Sequence, residues 1–127
     1  MYDGQPSDII DNGYVIVDFE SGTHAILELC MFTEGSRYQE GVSVVDPKDK
    51  IEALVPGRGR FWPAHLGDAP IPQLIVSPRN PSGPQVREIP VAPTLLEAGD
   101  HNGSTFYQHE GFLALVRGER KQADVTF

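Results

Sequence analysis

Hydrophobic and polar residues alternate along the first quarter of the chain. From Tyr14 to Glu20, Val15, Val17 and Phe19 fall on one side, and Tyr14, Ile16, Asp18 and Glu20 on the other. A period of two predicts a β-strand. Asn12-Gly13 punctuates its start and Ser21-Gly22 forms a tight turn at its end. Alternation resumes from Thr23 to Phe32, with Ala25, Leu27, Leu29 and Met31 on one face and His24, Ile26, Glu28, Cys30 and Phe32 on the other. Together the two segments predict a long antiparallel hairpin.

Glu34-Gly35-Ser36 closes that pair. A second hairpin is predicted from Gly41 to Asp46 and Lys50 to Val55, joined through Pro47-Lys48-Asp49. Pro56-Gly57-Arg58-Gly59 then opens a Pro/Gly-rich stretch reaching to about Val91. Within it Gln73 to Ser77 and Gln85 to Ile89 are short extended candidates. Near the C-terminus the period changes: Phe106, His109, Leu113 and Val116 recur at helical spacing, with Phe112 and Leu115 beside them. Asn102, Ser104 or Thr105 can supply the N-cap oxygen, Thr105 and Gln108 fit a capping box, and Gly118 suits the left-handed position at the end.

The predicted architecture is α+β: a mainly antiparallel, open-faced sheet of about four to six strands with one C-terminal helix on a face. A helix of about 14 residues, near 21 Å long at 1.5 Å per residue, covers little of such a sheet. The pattern therefore predicts either a partner on the uncovered face or further pieces of the domain.

Length and charge narrow the possibilities. The chain has 127 residues, a size for one domain, 1–127. Ten Lys+Arg stand against 18 Asp+Glu, a net charge of -8, which argues against a nucleic-acid backbone as partner. No apolar run approaches the roughly 20 residues of a membrane span, and the first residues do not resemble a signal peptide. With Cys30 as its one cysteine, the chain suits a reducing compartment, and a cytoplasmic protein without a membrane partner is the expectation.

The cluster Asp100-His101-Asn102-Gly103-Ser104 is the most suggestive chemistry, because His101 precedes a helix whose free N–H groups favour polar or anionic ligands. It can bind and protonate a small oxygenated substrate. On the other reading Asp100 and Asn102 cap the helix and His101 is an exposed loop residue. His109 falls on the apolar stripe and reads as a partly buried histidine. A metal site from Asp100, His101, His109 and Glu110 lacks a repeated ligand pair on one helix face. Cys30, in mid-strand, reads as a buried inert thiol, and Ser104 has no identifiable base. Gly57-Arg58-Gly59-Arg60 lacks the third glycine of a dinucleotide loop and reads as a mobile surface loop. Arg58, Arg60 and Trp62 form either an interface patch or solvated charges beside a core-anchoring Phe61-Trp62 pair.

Three ordered blocks carry a family likeness. Asp11-Asn12-Gly13-Tyr14-Val15-Ile16-Val17-Asp18-Phe19-Glu20, then Leu27-Glu28-Leu29-Cys30-Met31-Phe32-Thr33-Glu34-Gly35-Ser36, then Gly99-Asp100-His101-Asn102-Gly103-Ser104-Thr105-Phe106-Tyr107 together resemble the C-terminal domain of Gfo/Idh/MocA oxidoreductases. The likeness runs from about Asp8 to Phe127.

The resemblance implies a truncated substrate-binding and oligomerisation domain, with no Rossmann domain in this chain. A Rossmann domain, on the same or a separate chain, would hold NAD or NADP, and this chain alone would bind neither. The complete enzyme would transfer hydride between the nicotinamide and a sugar, cyclitol or similar hydroxyl compound. The open sheet face would form a homo-oligomer. The family's Glu-Lys-Pro lysine motif does not occur here. Its helical Asp/His pair, four residues apart, would precede Met1. Glu20 to His24 and Glu97 to His101 share the spacing, but glycine turns interrupt both. His101 is carried over as a substrate-contacting or proton-relaying group, Asp100 and Asn102 as its orienting neighbours, and Tyr107 as a wall residue. The alternative is a non-catalytic interaction module that dimerises through its sheet.

Overall fold

The computed structural model describes residues 10–31, 35–80, 82–98 and 101–123. The chain divides into two compact units, Met1–Glu34 and Gly35–Phe127. Among the described residues, six antiparallel strands form two open sheets, of two and four strands, and with a C-terminal helix they make an α+β fold.

The first unit contains the predicted hairpin, although Phe32, where its second strand was expected to end, and Glu34 of the expected closing turn lie outside the described residues. Strands β1 (Asn12–Asp18) and β2 (His24–Cys30) pair with Val15 opposite Leu27 and Ile16 opposite Ile26. Residues directly opposite share a face, so this register reproduces the alternation of the sequence. At the tip, Phe19 N–H donates to Thr23 O and Gly22 N–H to Phe19 O, both at 2.9 Å. Gly22 has φ +84, a left-handed turn position that glycine adopts without steric cost.

The second unit holds a four-stranded meander: β3 (Glu40–Val45), β4 (Asp49–Val55), β5 (Gln73–Pro78) and β6 (Gln85–Glu88), in that order across the sheet. Asp46 shapes the β3–β4 turn, its Oδ1 accepting from Lys48 N–H at 2.6 Å and Asp49 N–H at 2.9 Å. On one face the register places Val42, Val44, Ile51, Ala53, Leu74 and Val76 side by side. That face is open to solvent along its edge, with Val42 65% and Val44 58% exposed. Among the described residues no hydrophobic side chain is fully buried, and burial is reached only at Pro56 and Gly103.

Two helices follow. Helix α1 (Pro93–Ala98) lies beyond the pattern's predictions, although Pro93 at its first position and the run Leu95-Leu96-Glu97-Ala98 are a helix signal. Helix α2 (Ser104–Val116) is the predicted one. Its C-terminus closes as the glycine foretold: Gly118, at φ +75, donates to Leu115 O and Glu119 N–H reaches back to Ala114 O. Its N-terminus differs. The cap position is Gly103, with no side-chain hydrogen bond, and the Thr105–Gln108 capping box falls inside the helix. Asn102 lies one residue before the cap position with a left-handed backbone, φ +52, and its amide nitrogen donates to the carbonyl oxygen of Pro56.

Both helices pack on the turn His101–Gly103. His109 is exposed on α2, contrary to the partly buried position that the stripe predicts. The helix keeps a wide apolar surface in solvent, so a place on the stripe does not bring burial. Among the described residues, no helix is long and apolar enough to cross a membrane.

Candidate functional site

The site is built around three consecutive residues with positive φ. His101 has φ +58, Asn102 φ +52 and Gly103 φ +87. Histidine and asparagine are among the non-glycine residues that tolerate this region best, yet holding two in succession requires fixed partners. Both have them. The imidazole Nδ1 of His101 lies 2.5 Å from Glu40 Oε1, and Asn102 Nδ2 donates to the carbonyl oxygen of Pro56 at 2.8 Å. Gly103 is buried, and a Cβ there would come within 3.3 Å of Leu95 Cβ and 3.6 Å of Val91 Cγ1.

The two anchors belong to one place in the sheet. Glu40 opens β3 and stands opposite Val55, the last residue of β4, and Pro56 follows directly. The end of a single strand pair therefore pins the turn at two successive residues. Gln39 N–H donates to Val55 O at 3.0 Å and extends the ladder by one bond at this end.

Beside the turn lies a cavity of about 480 Å³. Ala69, Pro70, Ile71, Pro72, Pro90, Val91 and Leu96 make its apolar wall, and Arg58, Glu97, His101 and Asn102 bring polar groups to it. This volume falls in the ordinary range for small-molecule sites, and apolar walls with a few polar groups are their usual lining. The prolines stiffen the wall by fixing φ.

Of the residues predicted from sequence, the structure brings His101 and Asn102 together at the cavity. Asp100 lies outside the described residues. Tyr107 is exposed on α2, its ring edge-on to Phe106 at 5.6 Å, and is not among the cavity-lining residues. Ser104 is exposed at the start of α2. Cys30 is exposed at the end of β2 rather than buried, like the other residues of that strand. Among those residues, no group of three or more His, Cys, Asp or Glu is arranged to hold a metal ion.

Other residues of the site, at the cavity or beside it, were not expected there from the sequence. Glu40 carries no local signal, since its partner is 61 positions away. Glu97, near the end of α1, lines the same cavity as His101. Gly57, Arg58 and Gly59 form part of the cavity wall. This loop leads from β4 into a single 3-10 turn, Gly59–Phe61, and not into an α-helix. Phe61 is 66% exposed beneath the Arg58 guanidinium, so it does not anchor a core, whereas Trp62 is half-buried.

No protein-family model and no curated protein matches the chain.

Proposed function

We propose that this chain is a substrate-binding and oligomerisation domain of an NAD(P)-dependent oxidoreductase acting on a sugar, cyclitol or similar hydroxyl compound in the cytoplasm. The observation that carries the reading is the divided lining of the cavity, apolar from Ala69 to Pro72 and at Pro90, Val91 and Leu96, polar at Arg58, Glu97, His101 and Asn102. A polyol ring has the same division, with C–H faces and hydroxyl edges. In this reading His101 meets a substrate hydroxyl and Asn102 holds the turn that presents it.

NAD or NADP is assigned to a Rossmann domain on the same or another chain. The residues here do not fit a dinucleotide: Gly57 to Gly59 feed a 3-10 turn, without the α-helix N-terminus that receives a pyrophosphate. The open sheets account for the oligomerisation half of the proposal, since contiguous apolar faces of this kind are the material of subunit contacts.

The same faces favour a second reading, a non-catalytic module that dimerises through its sheet. The test is reconstitution. Mixing the chain with the matching Rossmann domain should restore oxidation of a polyol by NAD or NADP, followed as nicotinamide absorbance. A stable dimer in sedimentation with no restored hydride transfer would reject the oxidoreductase reading in favour of the interaction module.

A further inference from the structure

We propose that Glu40 is a positioning residue for His101, holding its imidazole in the tautomer that carries the proton on Nδ1. Nε2 is thereby left as a hydrogen-bond acceptor for a hydroxyl group of a ligand in the cavity. The inference rests on the reading of His101 as the group that meets a substrate hydroxyl, and it adds the residue that makes it competent.

The tautomer follows from what each atom can do. An ionised carboxylate only accepts hydrogen bonds, so at 2.5 Å from Glu40 Oε1 the Nδ1 of His101 must be the donor. In a neutral ring the other nitrogen then carries a lone pair. His101 lines the cavity, and Nε2 is the ring nitrogen that Glu40 does not occupy. A hydroxyl donor that reaches Nε2 from the cavity then finds an acceptor, whereas the opposite tautomer would present it with an N–H.

The backbone supports a fixed ring. A histidine at φ +58 is held away from its preferred conformations, and the turn keeps this shape through Asn102 on Pro56 O and Gly103 against Leu95 and Val91. Glu40 and Pro56 flank the same end of the β3–β4 ladder, so the carboxylate and the anchor for the next residue move as one piece. Glu97 also reaches the cavity, and it serves as the control.

The experiment is long-range ¹⁵N–¹H spectroscopy of the imidazole rings at about pH 9, where ordinary histidines are neutral. The His101 signals are assigned with His101→Gln. The exposed His65 and His109 should show the Nε2–H form that free imidazole side chains prefer, and His101 the Nδ1–H form. Glu40→Ala should return His101 to the Nε2–H form, and Glu97→Gln should not. Sorbitol, glucose and myo-inositol serve as hydroxyl probes: at least one should shift His101 Nε2, with an affinity lowered about tenfold in Glu40→Ala.

A wild-type His101 in the Nε2–H form, or one that Glu40→Ala leaves unchanged, overturns the proposal without recourse to any variant's activity. Indifference of Nε2 to all three probes overturns it as well. The spectra need neither cofactor nor Rossmann domain. If the tautomer and probe results hold while reconstitution yields no hydride transfer, the oxidoreductase reading falls and the role of Glu40 stands.

Discussion

Asn102 donates its side-chain N–H to the carbonyl oxygen of Pro56, 46 positions earlier, and so ties the turn before α2 to the end of β4. Pro56 is one of two buried residues among those described, and the turn that reaches it is left-handed at Asn102. A buried carbonyl that loses its donor costs about 1–3 kcal/mol. Asn102→Ala should destabilise the protein by about that amount, because it removes the bond and leaves a less tolerant residue at φ +52. Asn102→Gly relieves the backbone while still losing the bond, and its loss should be smaller. Urea unfolding of the three proteins gives the comparison, and equal losses would show that the left-handed backbone contributes nothing.

Gly103 and Gly57 offer a contrast between two close approaches. Gly103 combines φ +87 with the nearby Leu95 Cβ, so Gly103→Ala meets strain in both backbone and packing. Its cost should exceed about 1 kcal/mol. At Gly57 the obstacle is the end of the Gln39 side chain, which can swing aside. Gly57→Ala should therefore be the milder change in thermal unfolding, and a reversed order would contradict this account of the turn.

The Asp46 turn sets a pH dependence. Hydrogen bonds from the backbone N–H of Asp49 first, then Lys48, hold the Asp46 carboxyl below its ordinary value of 3.8. A lowered folded value means that the stabilisation is complete above about pH 5 and disappears as pH falls through the folded value. Asp46→Asn keeps an acceptor oxygen but does not titrate in this range. The difference in unfolding midpoint between wild type and Asp46→Asn should accordingly shrink on acidification, and a difference that stays constant from about pH 6 to pH 2.5 would refute the assignment.

Cys30 should behave as an accessible thiol. It is exposed at the last position of β2, opposite Asn12. A chromogenic disulfide reagent should label it in the native protein without denaturant. Labelling that occurs only on unfolding would place a cover over this strand end.

The first hairpin makes a separate prediction for self-association. Val15 and Leu27 are paired on one face and are 52% and 62% exposed. If that face joins two copies, replacing both by Thr removes apolar contact while retaining a residue that suits strands. The double variant should sediment as a smaller species at concentrations where wild type is associated. An unchanged distribution would assign the contact to another surface.

How much of this was legible beforehand differs from element to element. The hairpins were, because alternation and turn residues act over a few positions: Val15 and Val17 against Leu27 and Ala25, Gly22 at the tip, Pro47 and Lys48 between β3 and β4. Gly118 was legible for the same reason. His101 and Asn102 were singled out by their place before a helix, although the cap itself went to Gly103. The mispredicted burial of His109 and Cys30 has one cause. Periodicity states which residues share a face, and says nothing about whether that face is covered.

By itself, then, the sequence determined the local geometry: six extended segments, the tight turns at Gly22 and at Pro47-Lys48, and a C-terminal helix closed by Gly118. Each of these follows from interactions within a few residues, where steric limits and turn chemistry leave little choice. Only the tertiary structure decided that the strands divide into sheets of two and four, and that Glu40, Pro56 and the wall from Ala69 to Pro72 meet His101 and Asn102. Those meetings span tens of positions. The energy of a distant hydrogen bond or packing contact exists only after the chain has closed the intervening loops, so no local pattern records which partners will be found.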